Sequence, residues 1–362
     1  MRILDKYILK ELFGPFFFGI AAFSSVIIGT STLFRIAQLV TKYDTPFATV
    51  VQLFVYSLPN IIVLTFPMSM LLASLLAFGR LSGSSEIIAM KSGGLSFYRL
   101  ATPVFIAAFI VSIIAIGLNE KIVPAANSAY NYIVRYEIEK NTIPKSQEHI
   151  IIKDIRDGNL ERLTYARNFA EETREMNGIT IQEFENNHLV RIENAERAIW
   201  NDDRWIMYNG IISNFTADGR VEQTLRFNEQ IMPIEKNPAS ISREQKKPEE
   251  MSIKELQQHI KVLRREYVRT SEYEVEMQQR IAVPMASFIF SLIGTPLGLS
   301  PNRSSSSIGL GLSIVIIFIY YTIMTVFTAL GQGDAIPAVL AAWVPNMIGV
   351  VAGGYLVWKA SR

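Results

Sequence analysis

The chain has 362 residues, a formal net charge of +2 and no cysteine, which excludes disulfides, thiol chemistry and thiolate metal sites. Of its 68 Asp, Glu, Lys and Arg residues, 51 lie between Glu120 and Gln279; the two flanks share 17, of which five are acidic. Apolar runs of about 20 residues almost without charge suit a bilayer's hydrocarbon layer of about 30 Å and have no use in a soluble core. The chain therefore reads as a membrane protein with one large polar insert.

The basic start, Met1 to Lys10, runs into an apolar stretch too long for a signal peptide's hydrophobic region, and no small-residue cleavage site ends it. It reads as a retained first span, about Leu12 to Gln38. The second, about Thr49 to Phe78, holds Pro59 and Pro67, which predict a kink or break. The third is about Leu100 to Leu118. After the insert come about Ile281 to Leu299, Ser307 to Leu330 and Ile336 to Trp358. The second and fourth spans share an echo. Pro67-Met68, Ser74-Leu75 and Leu81-Ser82 match Pro284-Met285, Ser291-Leu292 and Leu299-Ser300, by duplication or by chance. The expected domains are 1–119 (three spans, with a loop at 80–99), 120–279 (the insert) and 280–362 (three spans).

Lys and Arg bias sets orientation. Arg2, Lys6, Lys10, Arg80, Lys91, Arg99, Arg303, Lys359 and Arg362 all fall on one side if both termini are cytoplasmic. The opposite loops hold Arg35 and Lys42. The insert is then expected outside, in the periplasm of a cell with two membranes.

Inside the insert, His149-Ile150-Ile151-Ile152-Lys153, Gly178 to Gln182 and Arg204 to Tyr208 read as strands. Turn signals stand at Asp157-Gly158, Asn177-Gly178, Asn186-Asn187, Asp202-Asp203, Asn209-Gly210 and Asp218-Gly219. Many short strands predict an all-β sandwich or jelly roll, whose greasy interior could accept an acyl chain. Asn127 to Lys140 extends the third span outward. Ser252 to Gln279 reads as one charged helix opened by the capping box Ser252-x-x-Glu255.

Chemistry is sparse. The three His are scattered, and no HExxH, P-loop, G-x-S-x-G or kinase set occurs, so no metal, cofactor or catalytic residue is predicted. The flanks' acids, Asp5, Glu11, Asp44, Glu86 and Asp334, sit at or beyond span ends, unlike the buried carboxylates of ion-driven transporters. The chain reads as neither an enzyme nor a self-powered pump. If it moves something, a partner supplies the energy.

The loop Arg80 to Arg99 reads as a capped short amphipathic helix. Ser84 or Ser85 can cap it, Glu86 suits its positive N-terminus, and Gly93-Gly94 stops it. It is either an ordinary interfacial helix or a coupling helix in which Glu86 pairs with a basic residue of an ATPase. Arg35 and Lys42, seven apart, share a helix face. They either snorkel to headgroups or form a phosphate-binding rim for an anionic lipid.

Several motifs together resemble the LptF/LptG (YjgP/YjgQ) lipopolysaccharide export permeases. They are Ile3 to Glu11, the Gly79-Arg80-Leu81 to Gly93-Gly94 loop around Ser85-Glu86, Asn119 to Pro124, and Pro296-Leu297-Gly298 with Arg303. The resemblance implies an α-helical membrane protein of six transmembrane helices with a periplasmic all-β, jelly-roll-like domain between helices three and four. It implies a bacterial inner-membrane location and pairing with a second LptF/LptG-type subunit. An LptB-type ATPase dimer inside and an LptC-like periplasmic protein are the other partners, with no nucleic acid. Lipopolysaccharide would enter laterally between the first and fifth spans of opposite subunits and pass through the jelly rolls. Glu86, with Ser85 and Arg80, matches the ATPase-coupling loop; Arg35 and Lys42 match basic residues facing lipid phosphates. The competing readings are another lipid- or lipoprotein-exporting ABC permease and a membrane-anchored scaffold or sensor. Lipoprotein-release permeases usually carry the large domain after the first span, and a sensor needs only one or two spans.

Overall fold

The computed structural model describes residues 3–43, 45–138, 147–156, 159–170, 173–185, 188–216, 219–234, 236–238, 241, 246–265, 268–299 and 306–362. The chain forms two compact units. One is Met1–Ile138 with Pro248–Lys261 and Arg269–Arg362; the other is Glu139–Lys247 with Val262–Val268. Charge density and packing thus change at different residues. The polar turns at 120–138 and 269–279 pack with the helical unit because they continue its spans.

The helical unit opens with α1 (Ile3–Ile27), a π-helical stretch (Ile28–Thr32) and α2 (Leu33–Tyr43), together one continuous first span. Next come α3 (Phe47–Gly83), the short α4 (Glu86–Ser92) and α5 (Phe97–Tyr132), which runs on into a second π-helical stretch, Ile133–Ile138. After the insert follow α6 (Ile253–Arg265), which belongs to this unit as far as Lys261, then α7 (Ser271–Gly298), α8 (Ser306–Gln332) and α9 (Ala338–Ser361). All six expected spans are present as long apolar helices.

Of the kink or break expected at Pro59 and Pro67, the break does not occur: α3 is one helix of 37 residues. A proline removes a backbone donor and crowds the preceding turn, so its neighbours must supply the missing bonds. In the turn before Pro67, the Tyr321 hydroxyl of α8 donates to the Leu64 carbonyl (3.2 Å), next to Val63, whose carbonyl loses its helical donor. The α3 helix is central, and α7 packs closely along it. A Cβ on Gly298 would stand 2.8 Å from the Phe78 Cβ, so only glycine lets the two helices approach this far. These are the two spans that share the sequence echo. At one equivalent pair they touch, where the Ser82 hydroxyl donates to the Leu299 carbonyl (3.2 Å).

The helix read over Ser252 to Gln279 is two helices. The capping box forms as expected: Glu255 N–H donates to Ser252 Oγ (3.2 Å) and Ser252 N–H to Glu255 Oε2 (2.8 Å). But α6 ends at Arg265 and α7 starts at Ser271. Tertiary contacts hold the restart, since Arg269 pairs with Asp334 (2.5 Å) and donates to the Gln332 carbonyl (2.6 Å).

The second unit carries β1 (Gln147–Arg156), β2 (Asn159–Ala170), β3 (Glu175–Glu185), β4 (His188–Asn201), β5 (Arg204–Phe215) and β6 (Val221–Ile231). They form one antiparallel sheet in the order β1-β2-β3-β4-β5-β6. This refines the jelly-roll-like reading: among the described residues the strands are fewer and longer, and they meander in one sheet. The segment after β6 closes its apolar face with Met232, Ile234 and Ile241.

Two expected turns fall inside strands, Asn177-Gly178 in β3 and Asn209-Gly210 in β5. Across the sheet, Ala166, Ile179, Ala195 and Gly210 form one buried row. Phe169, Met176, Ala198 and Met207 form the next, three residues away in every strand rather than two. Side chains alternate with a period of two, so each strand must bend to bury both rows. His149, Gly178 and Asn209 take positive φ (56°, 63° and 53°) along that line in β1, β3 and β5. An Asn-Gly pair supplies a left-handed residue, and packing uses it here for a bend. Asp202-Asp203 is the two-residue turn expected, with φ of 47° and 58°.

Candidate functional site

The α4 loop is built locally. Its end is a Schellman motif, with Leu95 N–H donating to the Met90 carbonyl (3.1 Å) and Gly94 N–H to the Lys91 carbonyl (2.9 Å). Gly94 takes φ of +86°. The start differs from expectation. Ser85 occupies the N-cap position at φ of 62°, and its side chain makes no capping bond. Ser84 instead donates to Glu86 Oε1 (2.8 Å). One face of α4 is seated by Ile87, 4% exposed, in a cluster with Ile8, Leu81, Phe97 and Leu100.

Polar residues from α1 surround this seat. The Tyr7 hydroxyl donates to Glu86 Oε2 (2.7 Å). Glu11 pairs with Arg80 (2.8 Å) and Asp5 with Arg99 (2.6 Å). The Tyr7 bond, then the Ser84 bond, hold the Glu86 carboxyl below the usual carboxylate range. At the other end of α4, Lys91 Nζ donates to the Ala360 carbonyl near the end of α9 (3.1 Å). The structure thus brings Arg80, Ser85 and Glu86 into one corner, with Arg80 engaged by Glu11.

Arg35 and Lys42 lie elsewhere, both exposed on one face of α2. The Arg35 guanidinium stands over the Tyr130 ring (5.4 Å) and Lys42 Nζ over the Tyr43 ring (4.8 Å). Buried Ile36 and Leu39 anchor α2 to Leu53, Tyr130, Ile133 and Val134.

At the opposite end of the bundle, where the insert departs, Arg280 is 5% exposed. It donates to the carbonyls of Asn119, Pro248 and Glu249 (3.1 Å each) and lies 3.4 Å from Glu276. One guanidinium thus ties the chain leaving the bundle to the chain returning to it. In the sequence Arg280 stands just before the expected fourth span, Ile281 to Leu299, and belongs to no motif. A lone arginine at a span's start is its only local signal. Tyr7 was missed as well, since a tyrosine near a basic N-terminus signals nothing until its partner, 79 residues away, is in view.

Residues 6–359 match the family model of the lipopolysaccharide export system permease LptF/LptG. The chain belongs to that family. It is 21% identical over 373 residues to the lipopolysaccharide export system permease protein LptG of Haemophilus influenzae, covering 100% of this chain and 99% of that protein. It is 24% identical over 359 residues to LptG of Escherichia coli, covering 95% and 94%. Six spans interrupted by a six-stranded sheet are consistent with the family's fold. The chain is a multi-pass membrane protein and a permease component of lipopolysaccharide export.

Proposed function

We propose that this permease subunit takes lipopolysaccharide from the bilayer through a lateral opening formed by its first and fifth spans and those of a second LptF/LptG-type subunit. The lipid then passes to the β unit and on to an LptC-like periplasmic protein. The exposure of these two spans carries the reading. Within the chain, 22% of the first span's apolar window and 11% of the fifth's are buried, against 78% for the second. Phe13, Phe17 and Phe34 on the first, and Val315 and Phe318 on the fifth, lie open. Apolar surface on this scale is what a lipid or a partner subunit covers. The relatives' shared name supports the LptG half of such a pair.

The termini and α4 face the cytoplasm in this reading, and the β unit faces the periplasm, as the Lys/Arg distribution favours. Exposing acyl chains to water costs about 0.8 kcal/mol per CH₂, so repeated extraction needs an energy source. The sequence carries no nucleotide-binding motif, and an LptB-type ATPase dimer meets that need by docking at α4. Glu86 is its contact, with Ser85 and Arg80 beside it. Arg35 and Lys42, on the exposed face of α2, meet lipid phosphates.

Photocrosslinkers at Phe34 and Phe318 test the lateral opening. Adducts with lipopolysaccharide and a second subunit are expected there, and few at Ile110, which is also exposed but lies on the third span. Equal labelling at all three sites would sink the reading. Glu86→Arg should abolish copurification of the ATPase; full retention would remove the docking claim. Arg35→Glu with Lys42→Glu should weaken lipid capture severalfold.

A further inference from the structure

We propose that Tyr7, supported by Asp5 and Glu11, positions the coupling helix by locking it to the first span, so that displacement of α4 is delivered to α1. The inference rests on the reading of α4 as the ATPase contact and adds the residues through which that contact acts.

Three observations carry it. The first is the pattern of contacts. Three polar residues at the start of α1 reach the end of α3, the start of α4 and the first turn of α5. Glu11 takes Arg80 before α4, Tyr7 takes Glu86 within it, and Asp5 takes Arg99 after it, at 2.8, 2.7 and 2.6 Å. Tyr7 and Glu11 are one turn apart and share a face, while Asp5 lies about 160° round the helix. The helices on either side of α4 are therefore held from two sides of α1, and Tyr7 holds α4 between them.

The second is the apolar seat between these contacts. Ile8, 0% exposed, shares a cluster with Leu81 and Ile87 of the loop region and with Phe97 and Leu100 of α5. A polar latch on a packed seat moves as one body, because packed interfaces deform little. The third is what α1 leads to. It runs through the π-helical stretch Ile28–Thr32 into α2, which carries Arg35 and Lys42. No residue of that stretch is buried, and a Cβ on Gly29 would meet nothing within 4 Å. Mid-helix π-turns in an unpacked segment suit a flexing joint. Beyond it, α2 packs in a separate cluster with Leu53 and Tyr130. The first span is thus two segments joined at that stretch, α1 attached to the coupling helix and α2 carrying Arg35 and Lys42.

Tyr7 is the residue to test, because Tyr7→Phe removes one hydroxyl and keeps the ring. In the purified full complex reconstituted in proteoliposomes, Tyr7→Phe should keep the ATPase bound while lipopolysaccharide released per ATP falls at least threefold. Asp5→Arg should cause a comparable loss, and Arg99→Asp added to it should restore transfer to within twofold of wild type. The chain has no cysteine, so spin labels at Lys6→Cys and Ala89→Cys report the α1–α4 distance directly. That distance should be narrow in the parent and broaden with Tyr7→Phe. Unchanged transfer per ATP with an unchanged distance, or a charge swap that rescues nothing, would overturn the proposal. Loss of the ATPase from Tyr7→Phe would also overturn it, by making Tyr7 part of the docking surface. Glu86→Arg tests the underlying reading separately. If the ATPase stays bound there, that reading falls, while the spin-label distance still decides whether Tyr7 holds α4.

Discussion

Two charged clusters at opposite ends of the helical unit, around α4 and around Arg280, are held in opposite ways. At the α4 end the ion pairs are part-exposed, with the Arg80 side chain 69% exposed and that of Arg99 29%, while their partners Glu11 and Asp5 are 11% and 15% exposed. At the insert end Arg280 is 5% exposed and fastened to three carbonyls and Glu276. An exposed pair contributes about 0–1 kcal/mol and can be broken and remade. A buried charge that loses its partners costs several times more. At the α4 end, therefore, no single pair contributes much stability. The other end is suited to keeping the insert's entrance and exit in one place.

The largest expected effect tests the fixed end. Arg280→Met leaves three carbonyls and the Glu276 carboxylate without their donor, a loss on the order of 3 kcal/mol. A fall of several degrees in the melting temperature of the full-length protein in nanodiscs is the expected result. No change would mean the guanidinium is replaceable and the contrast between the ends is false.

The sheet supplies a second buried charge and a sharper test. Burial first, and then nearby Glu183, push the Glu193 carboxyl above the ordinary glutamate range, against the pull of Arg191, Arg162 and Gln230. Over that range the folded chain holds a proton that the unfolded chain has released. Stability from this group is thus present below the unfolded pKa and lost as pH rises through the folded one. Glu193→Gln should stabilise the protein at pH 8 by about 1 kcal/mol, the scale of one buried polar group. It should do little near pH 4. Thermal melting followed by tryptophan fluorescence checks this, since Trp200 and Trp205 stand in the same sheet. A gain that is equal at both pH values would remove the titration argument.

The smallest effect belongs to the α4 end. Glu11→Gln should cost less than about 1 kcal/mol of stability, because its partner Arg80 is largely exposed. A melting shift as large as that of Arg280→Met would erase the difference between the two ends.

The sequence by itself determined the features that depend on local chemistry. Runs of apolar residues located all six spans, since bilayer thickness sets their length. The Ser252/Glu255 capping box and the glycine stop of α4 formed as read, because each is closed by groups only a few residues apart. The family motifs were legible for the same reason. Only tertiary structure decided how permissive residues were used. Asn177-Gly178 and Asn209-Gly210 allow a left-handed residue, and the burial of two rows three residues apart made each a bend rather than a turn. Pro59 and Pro67 could have broken α3, yet it runs through both as one helix. Arg269 and its partners across the bundle set the restart of α7. The Tyr7–Glu86 and Arg280 contacts join residues far apart in the chain. No local pattern encodes such contacts, because they exist only once the helices between those residues have packed.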